Sequence, residues 1–384
     1  MSKMKIFSQL IKAFKIAIKF FYRHGNSNKS IYLIINRNVH SENALKDIID
    51  RTYFFFKEKD LKIIYINNTI KFLLYFFRKD IKLIFGFNLP IKVNSFLRNF
   101  LIFNIDPFLC HDDGWNWHYA LSSCFNLKRI ESQSFEKLQA IKLSIGNYKK
   151  SYLFGTGPSL ENAINHDWSD GFKIVSNSIV KDKKLFEHIK PNLVVACDAI
   201  YHFGQNLHSQ LFLKDLNDRL NEANLYFVFP SIYYPFVSNI LPVDKLIAIP
   251  INNNSKINKN LFTNFYLPTQ IGNVFNVMLL PLGTTFNNKI ELFGFDGRSP
   301  NDTGFWKNSK AQSYEDGVID LKLKHPCFFK TLVPIENPTK YTNNVHGEEL
   351  EKILLKLEDN GINIKMLHKS WTPSFSKRFN EKSK

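Results

Sequence analysis

Apolar positions along the chain recur at two periods. Over Met1–Gly25, Ile6, Phe7, Leu10, Ile11, Phe14, Ala17, Ile18 and Phe21 fall at helical spacing, with Lys12, Lys15, Lys19 and Arg23 on the opposite face. This predicts a basic amphipathic helix ending at Gly25, broken by charge too often to cross a bilayer. The pattern fits a helix lying in the headgroup region of an anionic membrane, and equally a core-packing helix with a solvated basic face. No small-residue cleavage site follows it, which argues against a secretory signal. Beyond a short polar linker, Ile31–Asn36, Leu61–Ile66 and Ile81–Phe87 read as strands and Ser41–Lys57 as a helix, predicting a small βαβ unit. From Ser151 onward the alternation is clearer. Ser151–Phe154, Lys173–Ser176, Leu193–Ala196, Leu225–Phe229, Lys289–Phe293 and Ile362–Leu367 read as strands, separated by helical stretches such as Asn273–Leu282 and Glu348–Glu358. Continuous apolar strands between helices predict a mostly parallel sheet covered on both faces, with ligands at the carboxyl ends of its strands.

Composition narrows the function. A chain of 384 residues fits two domains, or one large α/β domain with an appendage. Lys+Arg 51 against Asp+Glu 34 gives a net charge of +17, which calls for a polyanionic neighbour: nucleic acid, an anionic membrane or a phosphorylated substrate. The basic residues are spread along the chain rather than clustered with aromatics, and no zinc or helix-turn-helix motif occurs, which argues against nucleic acid. Cys110, Cys124, Cys197 and Cys327 are scattered with no C-x-x-C pair, consistent with a reducing compartment and not with a zinc ribbon or disulfide scaffold. His111, Asp112, Asp113 and His118 lack helical H-x-x-x-H or D-x-D spacing and read as a polar loop or a core histidine rather than metal ligands.

The strongest local motif follows the strand at Ser151–Phe154: Gly155-Thr156-Gly157-Pro158-Ser159-Leu160-Glu161. Two glycines permit a tight turn, Pro158 presets a helical start, and N–H groups there would hold a phosphate. Leu160 replaces the third glycine of a dinucleotide fingerprint, and no Gly-Lys-Ser/Thr follows as in a Walker loop. Asn177, Asp198 and Asp296 each stand just past a predicted strand, where Asx residues make turns or bind ribose, base or sugar. His346, before the Glu348–Glu358 helix, is the candidate general base, with His325 its rival.

On these residues, the chain from about 148 to 370 resembles the bacterial lipooligosaccharide sialyltransferases and the related domain of flagellin-modifying motility accessory factors. Those families share the loop matched by Gly155 to Leu160, an Asn placed like Asn177, a polar residue placed like Asp198, a Gly-x-Asp strand end like Gly294-Phe295-Asp296, and a catalytic His placed like His346. Their Ser-Gly turn is matched near Gly272 and Asn273 with only the glycine kept. The resemblance implies a Rossmann-like α/β catalytic domain, a variant of the GT-A type; the smaller N-terminal α/β region read from the βαβ pattern lies outside it. It also implies transfer of an acidic nine-carbon sugar from a CMP-activated donor to a surface glycan or glycolipid, with no metal or other cofactor and with His346 as base. The tyrosines that hold donor phosphate in the sialyltransferases have no secure match; Trp306 and Tyr314 are the nearest aromatics.

The expected division is a membrane-surface helix over 1–25, an α/β region over 26–147, a catalytic domain over 148–370 with a basic lid over 297–330, and a basic tail over 371–384. Expected partners are the nucleotide-sugar donor, a glycan acceptor and the inner face of the cytoplasmic membrane, with oligomeric state left open. A magnesium-dependent pterin pyrophosphokinase-like enzyme shares the G-x-G-P-S turn and is the competing reading.

Overall fold

The computed structural model describes residues 30–36, 41–56, 61–66, 81–87, 101–144, 146, 148–270, 272–299, 309–332 and 347–380. The amphipathic segment Met1–Gly25, and the candidates Trp306 and His346, lie outside the described residues. By contact the chain divides into two compact units at Cys124/Phe125, with His325–Phe328 grouped with the first.

In the first unit, β1 (Ser30–Asn36), α1 (Glu42–Phe55) and β2 (Leu61–Ile66) form the expected βαβ crossover, and β3 (Ile81–Phe87) and β4 (Ile102–Asn104) extend the sheet to the order β2-β1-β3-β4, all parallel. Ser41 caps α1 by accepting from the Ala44 N–H at 3.3 Å. Ile31, Leu33 and Ile34 are fully buried, as a parallel strand covered on both faces requires. The helix α2 (Asp113–Ser122) follows. Trp117, on α2, stacks on Phe55 with ring centroids 5.4 Å apart.

The second unit opens with α3 (Leu127–Ser144), expected from sequence to belong with the N-terminal region. It packs along the last strand in the sheet instead: Leu138 and Ile141 join the core, and Ser134 Oγ accepts from the Ala248 N–H at 2.9 Å. The sheet then builds from β5 (Ser151–Phe154), β6 (Phe172–Ser176), α4 (Lys183–Ile189), β7 (Leu193–Val195), α5 (Leu207–Glu222), β8 (Tyr226–Pro230) and β9 (Leu246–Ile249). A two-residue pair, β10 (Ile251–Asn252) and β11 (Leu267–Pro268), stands apart. After α6 (Leu280–Phe286) come β12 (Lys289–Phe293), α7 (Glu315–Lys324), α8 (Pro326–Leu332), α9 (Glu348–Glu358) and β13 (Asn363–Met366). The seven strands run β13-β12-β5-β6-β7-β8-β9, all parallel, a Rossmann-like arrangement.

Two local departures have identifiable causes. Phe275–Leu279, expected as α-helix, is one turn of π-helix. It precedes Pro281, whose ring has no N–H and crowds the carbonyl a turn earlier, so the helix widens before it. The segment expected as a basic tail is packed up to Asn380: Phe375 is buried, and Arg378 reaches Glu351 at 2.9 Å and Glu358 at 2.7 Å. Among the described residues no helix is long and apolar enough to cross a membrane.

The strand order matters most for function. From β5 the chain walks outward through β6, β7, β8 and β9, then returns to place β12 and β13 on β5's other side. The turns after β5 and β12 therefore leave their strands at the point where the order reverses, where open α/β sheets form a crevice.

Candidate functional site

The turns after β5 and β12 are interlocked. Gly155 N–H donates to the Phe293 carbonyl and Gly157 N–H to the Gly294 carbonyl, both at 2.8 Å. A Cβ on Gly157 would stand 2.1 Å from Asp296 Oδ2 and 2.8 Å from Gly294 O, so only glycine allows this approach. Gly294 itself holds φ +78. Ser159 N–H lies 3.1 Å from each oxygen of the Asp296 carboxylate, and Ser159 Oγ donates to Oδ2 at 2.8 Å. Leu160 N–H turns back to Gly157 O at 3.0 Å. The N–H groups of Gly155, Gly157 and Ser159, expected to receive a phosphate, are each bonded within the protein, and the anion at the helix start is the protein's own Asp296. The helix that Pro158 opens is 3-10 over Pro158–Asn165.

His368, just past β13, completes this knot and was not singled out from sequence. Its Nε2 accepts the Gly294 N–H at 2.9 Å and lies 2.9 Å from Ser159 Oγ, while Nδ1 is 2.7 Å from the Lys369 carbonyl. Because the Gly294 N–H can only donate, Nε2 carries the lone pair and Nδ1 the proton. Burial pushes the imidazole pKa below its ordinary value, against the Lys369 carbonyl and Asp296, which raise it. The Phe293 ring meets the imidazole edge-on at 5.1 Å. The strand-end rule that found Asn177 and Asp296 points equally to His368. Its loop is stitched to the turn after β12, with Ser370 Oγ donating to Phe295 O and Trp371 N–H to Asp296 O, each at 2.7 Å.

Three other predicted residues line the same edge. Asn177 leaves β6 with φ +52, a left-handed conformation that Asn tolerates better than most side chains, and its Oδ1 is buried with no hydrogen-bond partner. Asp198 leaves β7 and caps a short helical turn, Oδ1 accepting from Ile200 and Tyr201 N–H groups at 3.1 and 3.4 Å. Burial pushes its carboxyl up to about 7, in the range of a group that exchanges protons at neutral pH. Asn273 Oδ1 accepts from the Asn276 N–H at 2.8 Å, leaving its Nδ2 buried and unpaired; both amide atoms of Asn276 are also unpaired. Asn276 sits in the π-turn, whose Phe275 ring lies 5.1 Å from Phe295, and Phe295 lies against Gly155. The π-turn that carries Asn276 is thereby packed against the Gly155 turn through Phe275 and Phe295. Unpaired buried amides cost about 1–3 kcal/mol each, a cost a ligand with matching donors and acceptors would relieve. Gly272 has open space where a Cβ would stand, so packing does not require glycine there.

The remaining candidates have other partners. Tyr314, expected near donor phosphate, is buried with its hydroxyl donating to Asp215 of α5 at 2.5 Å and its ring against His208; the phenol is a packing group. His325 groups with the first unit, buried with Nδ1 at 2.7 Å from Asp113, which also pairs with Arg51 at 3.5 Å. His118 is a core histidine, edge-on to Phe55 at 5.2 Å, as the second of its two sequence readings has it. Of the segment expected as a lid, Gly297 lies against Thr372 and Trp371, and Ser309 meets the Gly155–Ser159 turn. There Ser309 N–H donates to Thr156 O at 2.9 Å and Ser309 Oγ to Glu161 at 2.6 Å; its α7 portion packs against α5. Among the described residues no cluster of three or more His, Cys, Asp or Glu side chains is arranged to hold a metal ion.

Fold and strand ends together define a Rossmann-like α/β protein with two interlocked turns at its switch point. No protein-family model and no curated protein matches the chain.

Proposed function

We propose that this protein is a nucleotide-sugar-dependent glycosyltransferase with a GT-A-variant-like domain, moving an acidic nonulosonate from a CMP-activated donor onto a surface glycan or lipooligosaccharide. The observation that carries this reading is that Asn177 and Asp198 follow β6 and β7 on the sheet whose β5 leads into the Gly155–Ser159 turn, and that Asn177, Asn273 and Asn276 each hold a buried amide atom without a hydrogen-bond partner. A nucleobase and ribose present the flat donor and acceptor edges that such amides lack. Because the N–H groups of Gly155, Gly157 and Ser159 are engaged internally, the donor phosphates would fall to hydroxyls and cations, for which the expected basic lid over 297–330 is the candidate source in the sequence. The resemblance assigns His346 as the base that deprotonates the acceptor hydroxyl. The described helix α9 begins two residues later and feeds β13 beside β12, as that assignment requires. The basic segment Met1–Gly25 and the charge of +17 suit an acceptor held at the inner face of the cytoplasmic membrane.

A thermal-shift panel tests this. CMP raises the melting temperature more than UDP, ADP or NAD does, by several degrees at concentrations a hundredfold above its dissociation constant. If ADP with magnesium stabilises best, the pyrophosphokinase reading replaces this one. If no nucleotide stabilises, the crevice is not a nucleotide site.

A further inference from the structure

We infer that His368 is the positioning residue of the switch-point site: its neutral imidazole latches the end of β13 to the Gly155–Ser159 turn, and protonation releases the latch. The inference deepens the nucleotide-sugar reading and rests on it for the ligand, though not for the latch. Nε2 has one lone pair, and two groups face it at 2.9 Å, the Gly294 N–H and Ser159 Oγ. In the neutral state the N–H takes the lone pair, and the single Ser159 hydroxyl proton goes to Asp296 Oδ2 at 2.8 Å. Gly294 is thereby fixed in its left-handed conformation, with its carbonyl holding the Gly157 N–H. The imidazole thus sets both crossing turns through one atom.

An imidazolium reverses this polarity. Nε2–H repels the Gly294 N–H and finds acceptors in Ser159 Oγ and, beside it, Asp296. Among the described residues, the charged and titratable groups around the ring are these. Asp296 comes from the turn after β12 and Lys369 from its own loop. His166 lies beyond Phe293, ring to ring at 5.3 Å, and Glu161 of the 3-10 helix is tied to Ser309 and Lys310. Asp296 is the one that favours the charged ring, so the latch has two competing arrangements of the same atoms.

Hydrogen exchange of the Gly294 and Gly157 amides reads the latch without any ligand. In the unaltered protein, protection relative to the intrinsic rate falls at least tenfold between pH 7 and pH 5. His368→Phe keeps the ring against Phe293, removes the acceptor, and loses the same protection at pH 7. His368→Gln places an amide oxygen near the Nε2 position, retains protection, and shows no fall on acidification. Imidazole nitrogen shifts of the unaltered protein at pH 7 report a proton on Nδ1, a readout independent of how the variants fold. A proton on Nε2, or protection unchanged in His368→Phe and flat with pH in the unaltered protein, overturns the inference. In the ligand arm, His368→Phe weakens CMP at least tenfold and His368→Gln less than threefold. Loss of Gly294 protection in a protein that binds no CMP leaves the latch standing and removes the transferase reading alone.

Discussion

Asp198 carries a conflict between burial and charge. Its carboxyl retains a proton up to about pH 7 in the fold, while in the unfolded chain it ionises near its ordinary value of 3.8. The folded state thus binds more protons between those values, and stability falls as pH rises through that window and levels off above it. Asp198→Asn keeps an oxygen for the Ile200 and Tyr201 N–H groups and cannot ionise. It is expected to gain about 1 kcal/mol or more at pH 8, to gain nothing at pH 4, and to weaken CMP about tenfold. Urea denaturation at the two pH values, with a CMP titration, checks all three. A side chain whose removal stabilises the fold is one retained for something other than folding. Asn177 poses the same question from the backbone side, pairing a left-handed conformation with an unbonded amide oxygen.

At the scale of elements, α5 and α7 approach so closely that Gly317 rests on the His208 backbone. A Cβ there would stand 2.7 Å from His208 Cα. Gly317→Ala is expected to push the helices apart and cost about 1–3 kcal/mol. CMP affinity is expected to change less than stability does, because α5 backs the Asn177–Lys181 turn while Gly317 itself meets only His208; denaturant midpoint and titration separate the two effects. This contact had no signature in the sequence, where Gly317 sits in an ordinary amphipathic stretch. By contrast, the buried strands were legible to within a residue or two, because parallel strands covered on both faces are written as unbroken apolar runs. β9 escaped because Leu246–Ile249 follows a short 3-10 turn with no helical spacing to frame it. Asn177, Asp198 and Asp296 were found by their place just after strands, whose parallel order brings them to one edge of the sheet, whereas Asn273 came only with the family resemblance. What sequence could not give is who bonds to whom. The G-x-G-P-S turn reads as an open cradle, yet its N–H groups are occupied by residues about 140 positions away. His368 earns its place only through the return of β13 beside β12.

For the molecule as a whole, His368 is joined in the acid response, among the described residues, by two buried histidines, His202 and His208. Burial pushes them down to about 3 and about 4, so both are neutral in the fold over the range where the unfolded chain charges them, below about 6.5. Their contribution is complete above that value and is lost as pH falls, on the order of 1–2 kcal/mol per histidine by pH 5. Asp198 works in the opposite direction over the same interval. Chemical denaturation at pH 7.5 and pH 5 should therefore show a net loss on acidification that shrinks in His208→Gln and grows in Asp198→Asn.

The Asp296 carboxylate bound at the start of the 3-10 helix has a consequence for how this chain can vary. The positive pole is neutralised by a tethered counter-ion, so residues 157–159 and 294–296 form one inheritable unit despite the distance between them in the chain. A substitution that enlarges Gly157 expels Asp296, and one that shortens Asp296 strands Ser159. Relatives that keep one half of this lock should keep the other, or have exchanged both together for a free anion drawn from solution.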